Sequence, residues 1–235
     1  MHKRTNWFLN TLGVLSILAT SGGAIYWKWI RPKHQRWGAT NEEVSRTLPG
    51  DDLLLNAQIN VTHAITIKAT PAEIWPWLVQ LGQGRGGFYS YDWIENAMGL
   101  DIHTVAHILP EHQDLKVGDI IPLAPDGFGI PVAILEPERA LVLHGDTRIP
   151  GKNAPPVKEG EFLAVTWGFY LFPQEDGTTR LVERWRTDWT PTLVNDFAYR
   201  GFLAPGAFVM ERKMLLTLKE RAESMRQTKS NRLLS

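Results

Sequence analysis

The sequence contains no cysteine. Disulfides, thiolate nucleophiles and zinc–thiolate sites are thereby excluded, although the compartment is not fixed by that absence. There is no excess of charge, since 25 lysines and arginines balance 25 aspartates and glutamates. No global field favours nucleic acid, and no nucleic-acid partner is expected. No internal period of the kind that marks repeat proteins is present. No HExxH pattern occurs either. His103 and His107 could share a metal if they lay on one helix, but Pro110 interrupts any longer helix and His112 follows only in the next segment. These are read as loop histidines, with no metal. The run Gly82–Gly87 (GQGRGG) lacks the lysine and serine of a phosphate loop and follows a helix instead of a strand. No nucleotide or other cofactor is expected.

Charge is also missing locally. Between Trp7 and Trp27 there is no charged residue, and no acidic residue precedes Glu42. The uncharged stretch is about 21 positions long, against roughly 20 needed to cross the hydrocarbon layer as a helix. Trp7 and Phe8 flank one end, and Tyr26, Trp27 and Trp29 the other, as interfacial belts do. A cleaved signal peptide would use Lys3 and Arg4 as its basic end and Ser21–Ala24 as its cleavage zone. An uncleaved anchor also accounts for the second aromatic belt and for Lys28, Arg31, Lys33 and Arg36 beyond it. The expectation is a single transmembrane helix within residues 1–30. More cations follow the span than precede it, which places the large domain on the cytoplasmic side of the membrane. The basic cluster itself suits attraction to anionic lipid.

What is present is ordered. Residues 31–59 read as a basic linker and extended arm, with a helix start at Thr40 and Glu42 and Glu43 in its first turn. The stretch from Ala64 to Gly99 reads as strand, helix, glycine bend and second helix. Ile65 and Ile67 share one strand face. Thr70-Pro71 with Glu73 is a helix start, and Ile74, Trp77, Leu78 and Leu81 form an apolar face. The second helix, from about Ser90, is expected to bury Trp93, Ile94 and Ala97. Strands follow over Ile120–Leu123, Ile130–Leu135, Ala140–His144, Phe162–Phe172 and Arg180–Trp189, with Gly145–Gly160 as a rim loop. After a short helix over Asp196–Leu203, broken by Ala204-Pro205-Gly206, a long helix spans Phe208–Arg226. Its stripe Ala207, Met210, Met214, Leu218, Ala222 and Met225 faces one side.

This order, and the run IWPWLVQLGQGRGGFYSYDW, resembles the helix-grip fold of the SRPBCC superfamily, which includes START lipid-transfer domains, pollen-allergen-like proteins and polyketide cyclases. The run is similar to a bacterial branch whose members are mostly of unassigned activity. The resemblance implies an α+β fold over residues 60–228, a curved antiparallel sheet around the long C-terminal helix, with a disordered tail at 229–235. It also implies a ligand site between sheet and helix. That superfamily hosts carriers, cyclases, ring-hydroxylase domains and regulators, so the chemistry stays open.

Two carboxylates are out of place on apolar faces. Glu211 falls within the methionine stripe, and Glu183 alternates with Leu181, Trp185 and Trp189, opposite in parity to Arg184 and Arg186. If the tryptophan face is the concave one, Glu183 enters the cavity and the two arginines face water. A carboxyl in an apolar pocket is raised in pKa and can act as a general acid or base, so both are catalytic candidates. The bland alternative is a pair of edge carboxylates in ion pairs. Trp167, Phe169, Trp185, Met210 and Met214 are expected to line the ligand site, with Tyr89 at its rim and Arg85 reaching an anionic head group. Three functions follow: a membrane-tethered module that binds a hydrophobic small molecule such as a lipid or polyketide, a cyclase- or dehydratase-type enzyme, or an interaction domain with a filled core. Protein partners are not specified by any motif.

Overall fold

Strand β6 (Thr179–Trp189) carries Leu181, Glu183, Trp185, Thr187 and Trp189 on one face and Arg180, Val182, Arg184, Arg186 and Asp188 on the other. The computed structural model describes residues 26–149 and 157–234, with side chains to residue 228. Six strands lie in the order β1-β6-β5-β4-β3-β2, where β1 is Ile59–Ile67, β2 Ile120–Pro122, β3 Gly129–Glu136, β4 Ala140–Asp146 and β5 Leu163–Pro173. All neighbouring pairs are antiparallel. The helices include α1 (Asn41–Ser45), α2 (Pro71–Val79), α3 (Asp92–Ala97) and α4 (Ala204–Leu234), and with the sheet they give an α+β arrangement. Strand first, two short helices, then strands and a closing long helix is the order expected above.

The inner face of the sheet packs on α2 and α4. Leu141, Phe169, Leu181, Ile74, Leu78 and Leu218 belong to that core, and all are fully buried. Removing each such side chain from water stabilises the fold by roughly 1.5–3 kcal/mol. In α2 the Thr70 N–H donates to the Glu73 carboxylate at 2.8 Å, which ties the helix start as its spacing predicts.

The outer face is covered too. Leu48 packs there on Ala64, Val142, Tyr170 and Val182. The segment that supplies Leu48 begins at Trp37, whose carbonyl accepts from the Ala64 N–H at 3.1 Å and so blunts the edge strand β1. Gly38 takes φ +71°, and a Cβ there would collide with the Ala64 carbonyl oxygen, so only glycine fits the approach. α1 opens with a reciprocal cap: Glu43 N–H donates to Thr40 Oγ1 at 3.2 Å, and Thr40 N–H to Glu43 Oε2 at 2.8 Å.

This cover corrects the expectation that Arg184 and Arg186 face water. Arg184 is 3 % exposed. It donates to Asp51 Oδ2 at 2.6 Å and to the carbonyls of Arg46, Glu43 and Val44. Arg186 donates to the Asp51 carbonyl and Oδ1, and Arg180 to both oxygens of Glu43. The compact unit accordingly begins at Arg36, with the arm as part of it.

Other expectations shift. In α3 Trp93 is 72 % exposed and Glu95 is buried, the reverse of the apolar assignment. Asp92 accepts from Thr104 N at 2.7 Å and from Thr104 Oγ1 at 2.6 Å, and this contact fixes how the short helix is turned. Ala204-Pro205-Gly206 does not break the chain. Helical turns over Leu193–Leu203 run directly into α4, where Pro205 sits in the first turn and its missing donor is harmless. α4 continues to Leu234, so the backbone of 229–234 is helical where a disordered tail was expected. Residues 26–35 form a separate unit of two helical turns, in which the Arg31 guanidinium lies 4.6 Å from the Trp27 ring centre. Among the described residues no helix is long and apolar enough to cross a membrane. The span expected over Trp7–Trp27 lies outside the described residues except for its last two positions.

Candidate functional site

Between the inner face of the sheet and α4 lies a cavity of about 820 Å³. Its walls are mainly apolar. Val165 and Trp167 come from β5, Trp185 from β6, and Ala207, Met210 and Met214 from α4. Period-two alternation on the strands and the methionine stripe on the helix bring these together. The flexible thioethers let that wall adapt to different shapes.

At one side of the cavity three ionisable groups converge. The β1–β6 register sets His63 directly opposite Glu183, and the β5–β6 register sets Phe169 on the other flank of Glu183. His63 Nδ1 lies 3.2 Å from Glu183 Oε2 and 3.3 Å from Glu211 Oε2. Nδ1 is thus within hydrogen-bonding reach of both acidic side chains. Trp167 Nε1 donates to the other Glu183 oxygen at 2.7 Å. The His63 ring is held edge-on between Trp37, 6.3 Å away, and Phe208, 5.7 Å away. His63 and Glu183 are fully buried, whereas Glu211 lines the cavity.

Burial pushes the Glu211 carboxyl up to about 8, the charge of Glu183 adds to the rise, and His63 opposes it. A carboxyl of this kind is protonated at neutral pH and can give its proton to a molecule in the cavity. Glu183 and His63 stand behind it as the return path. The same three atoms lie within 4.8 Å of one another, which makes this the one cluster of three potential ligands among the described residues. Two carboxylates and an imidazole are suitable donors for a divalent cation.

The structure sets Glu211, Trp167, Trp185, Met210 and Met214 along the cavity; Glu183, expected to enter it, is fully buried beside His63 and does not line it. It does not bring the remaining candidates there. Phe169 is fully buried beside Trp167, with ring centres 5.1 Å apart, and does not line the cavity. Tyr89 is also fully buried, at φ +56°, with its hydroxyl donating to the Trp77 carbonyl at 3.1 Å. Arg85 reaches no cavity. Its guanidinium donates to the carbonyls of Leu81 at 3.0 Å and Val79 at 2.8 Å, and so satisfies the open end of α2. His103 pairs with Asp101 on the surface, away from any cluster.

Sequence reasoning missed two residues here. His63 shares parity with Val61 and Ile65 on β1, the same signal that singled out Glu183. Glu95 of α3 lines the cavity and is considered below.

No protein-family model matches the chain, and no curated protein matches it. Solved structures do. The hypothetical protein jhp0584 from Helicobacter pylori is 11% identical with TM-score 0.46, over 78% of this chain and 99% of its own. Protein NE0264 from Nitrosomonas europaea is 13% identical with TM-score 0.42, over 73% and 99%. The Aha1 dimer from Colwellia psychrerythraea is 20% identical with TM-score 0.38, over 71% and 97%. With TM-scores below 0.5, these likenesses carry no argument about this chain's fold or chemistry.

Proposed function

We propose that the domain holds a hydrophobic small molecule, of lipid or polyketide character, between the sheet and α4. The observation that carries this reading is the cavity itself. Its volume of about 820 Å³ falls in the roughly 300–1,000 Å³ range of small-molecule sites, and its walls are chiefly tryptophan, methionine and aliphatic side chains. A filled core, as an interaction domain would have, leaves no such space. Native mass spectrometry of the full chain released from micelles is expected to show a bound small molecule. Ala207→Trp, which places an indole in the cavity, is expected to lose it with the thermal midpoint unchanged. A wild-type protein with no adduct, or the same adduct on the variant, sinks the reading.

A second reading is favoured by the Glu183–His63–Glu211 cluster: proton transfer to and from the bound molecule, as in a dehydration or cyclisation. Glu211→Gln leaves the adduct in place under the binding reading. Under the enzyme reading it also stops the conversion of that adduct.

We further propose that the first 30 residues tether the domain to a membrane, with the domain on the cytoplasmic side. Support comes from the uncharged run Trp7–Trp27, its aromatic flanks and the cations that follow. The full chain is expected to stay with the membrane pellet in alkaline carbonate. Release into the supernatant would remove the tether and leave the cavity reading intact.

A further inference from the structure

Acidic residues on the described cavity wall outnumber its one basic residue, His144. Three carboxylate residues, Glu95, Asp146 and Glu211, line it, and among the described residues no lysine or arginine does. Two of the three are occupied within the protein. Asp146 is held by the Arg148 guanidinium at 2.7 Å, and Glu211 faces His63 at 3.3 Å. Glu95 is different. It is 6 % exposed, and its Oε2 has no hydrogen-bond partner. The carboxylate one turn before it on the same helix, Asp92, is fully engaged by Thr104. So α3 holds one acid for its own structure and one that the protein leaves unpaired. Thr187 Oγ1, on the β6 wall of the same cavity, is a second buried polar atom without a partner.

A buried carboxylate with no donor is costly to keep, and the cost is recovered when something else supplies the donors. We infer that the cavity selects a ligand whose apolar body ends in an amine, with the ammonium seated against Glu95. This rests on the reading of the cavity as a ligand site. An ammonium supplies both a counter-charge and several N–H donors, whereas a hydroxyl supplies one donor and leaves the charge unbalanced. A carboxylate or phosphate head would meet acids on the walls, and no lysine or arginine among the described lining residues, so anionic amphiphiles such as fatty acids are disfavoured. Burial and the neighbouring Asp92 push the Glu95 carboxyl up to about 7. A cation seated beside it would favour the charged form and draw that value back down.

Three probes with the same chain and different heads test this: octylamine, octan-1-ol and octanoate. Each is titrated calorimetrically at pH 7.5 into the full chain in lipid nanodiscs, and the signal of the Ala207→Trp variant is subtracted to leave cavity binding. Octylamine is expected to bind at least ten-fold more tightly than the alcohol, with octanoate weakest. Glu95→Gln is expected to weaken octylamine ten-fold or more and to leave the alcohol within two-fold. Equal affinities for the three heads, octanoate binding most tightly, or an amine affinity untouched by Glu95→Gln would each overturn the inference while the cavity reading stood. No cavity binding by any probe would take both down. Should Glu95→Gln fail to fold, the ranking of heads on the wild-type chain still decides.

Discussion

Arg184→Ala is expected to lower the stability of the domain by about 3–5 kcal/mol, the cost of removing one partner from a buried ion pair. Arg184 is 3 % exposed, and its guanidinium meets the Asp51 carboxylate, Thr62 Oγ1 and three carbonyls of the arm. Truncation leaves those carbonyls without the guanidinium and Asp51 with Arg186 at 3.2 Å as its remaining cation, beside the Leu48 N–H at 2.9 Å. Arg184→Lys should recover only part of the loss, because an ammonium cannot reproduce the planar fork that reaches both carboxylate and carbonyls. Arg186→Ala should cost less, since that side chain is the more exposed of the two, at 11 % against 3 %. Urea unfolding of the three variants, followed by tryptophan fluorescence, gives the ranking. A loss below about 1 kcal/mol for Arg184→Ala, the scale of a surface pair, would mean that the arm is not docked on the sheet.

The second large effect is a dependence of stability on pH set by Glu211. In the fold this carboxyl keeps its proton up to about 8, whereas in the unfolded chain it loses it near the ordinary value of 4.5. Between those values the native state binds a proton that the unfolded state does not. Stability is therefore complete below about 4.5 and falls as pH rises, by at most ~1.4 kcal/mol per unit, until the folded value is passed. The full window amounts to roughly 5 kcal/mol as an upper bound, because Glu183 and His63 face the same group and share the change. Glu95 contributes a slope of the same sign over a narrower window, since its carboxyl is pushed up to about 7. Glu211→Gln should flatten most of the decline between pH 5 and 8, and Glu95→Gln a smaller part. The check is a series of urea midpoints across that range. An unchanged slope in Glu211→Gln would show that the carboxyl is not held protonated by the fold.

Much of the architecture could be read from local pattern. Thr70-Pro71 with Glu73 marked a helix start, alternation marked the long strands β5 and β6, and the stripe from Ala207 to Ala222 marked the inner face of α4. Glu183 and Glu211 stood out because a charge on an apolar face breaks its period, and that signal led to the cavity wall. His63 carried the same signal, but the alternation was followed from Ala64 onward, so the break just before it went unread. Glu95 was hidden for a different reason. α3 is too short for periodicity to outweigh the pull of its apolar residues, and its orientation is set by the bond from Asp92 to Thr104. The arginines of β6 were misread because their partners lie more than 120 residues away in sequence. Nothing in the arm itself says that it crosses the back of the sheet. Arg85 was misread for a local one: a cation at a loop tip looks available, and its use as a cap for the end of α2 emerges only once the loop has folded.

The arm has a practical consequence for where this domain can be cut. A chain trimmed to begin at Asn60 would retain five of the six strands whole, nearly all of β1, and the closing helix. It would nonetheless discard Trp37, whose indole shields the His63 ring on one side and lies under the Arg212 guanidinium of α4 on the other. It would also expose the row of guanidiniums on β6, whose neighbours Glu183 and Trp185 lie on the opposite face, the first against His63 and the second on the cavity wall. A shortened domain of that kind would present water to a buried acid pair from behind. Any titration or ligand measurement made on it would describe a site the intact chain does not have.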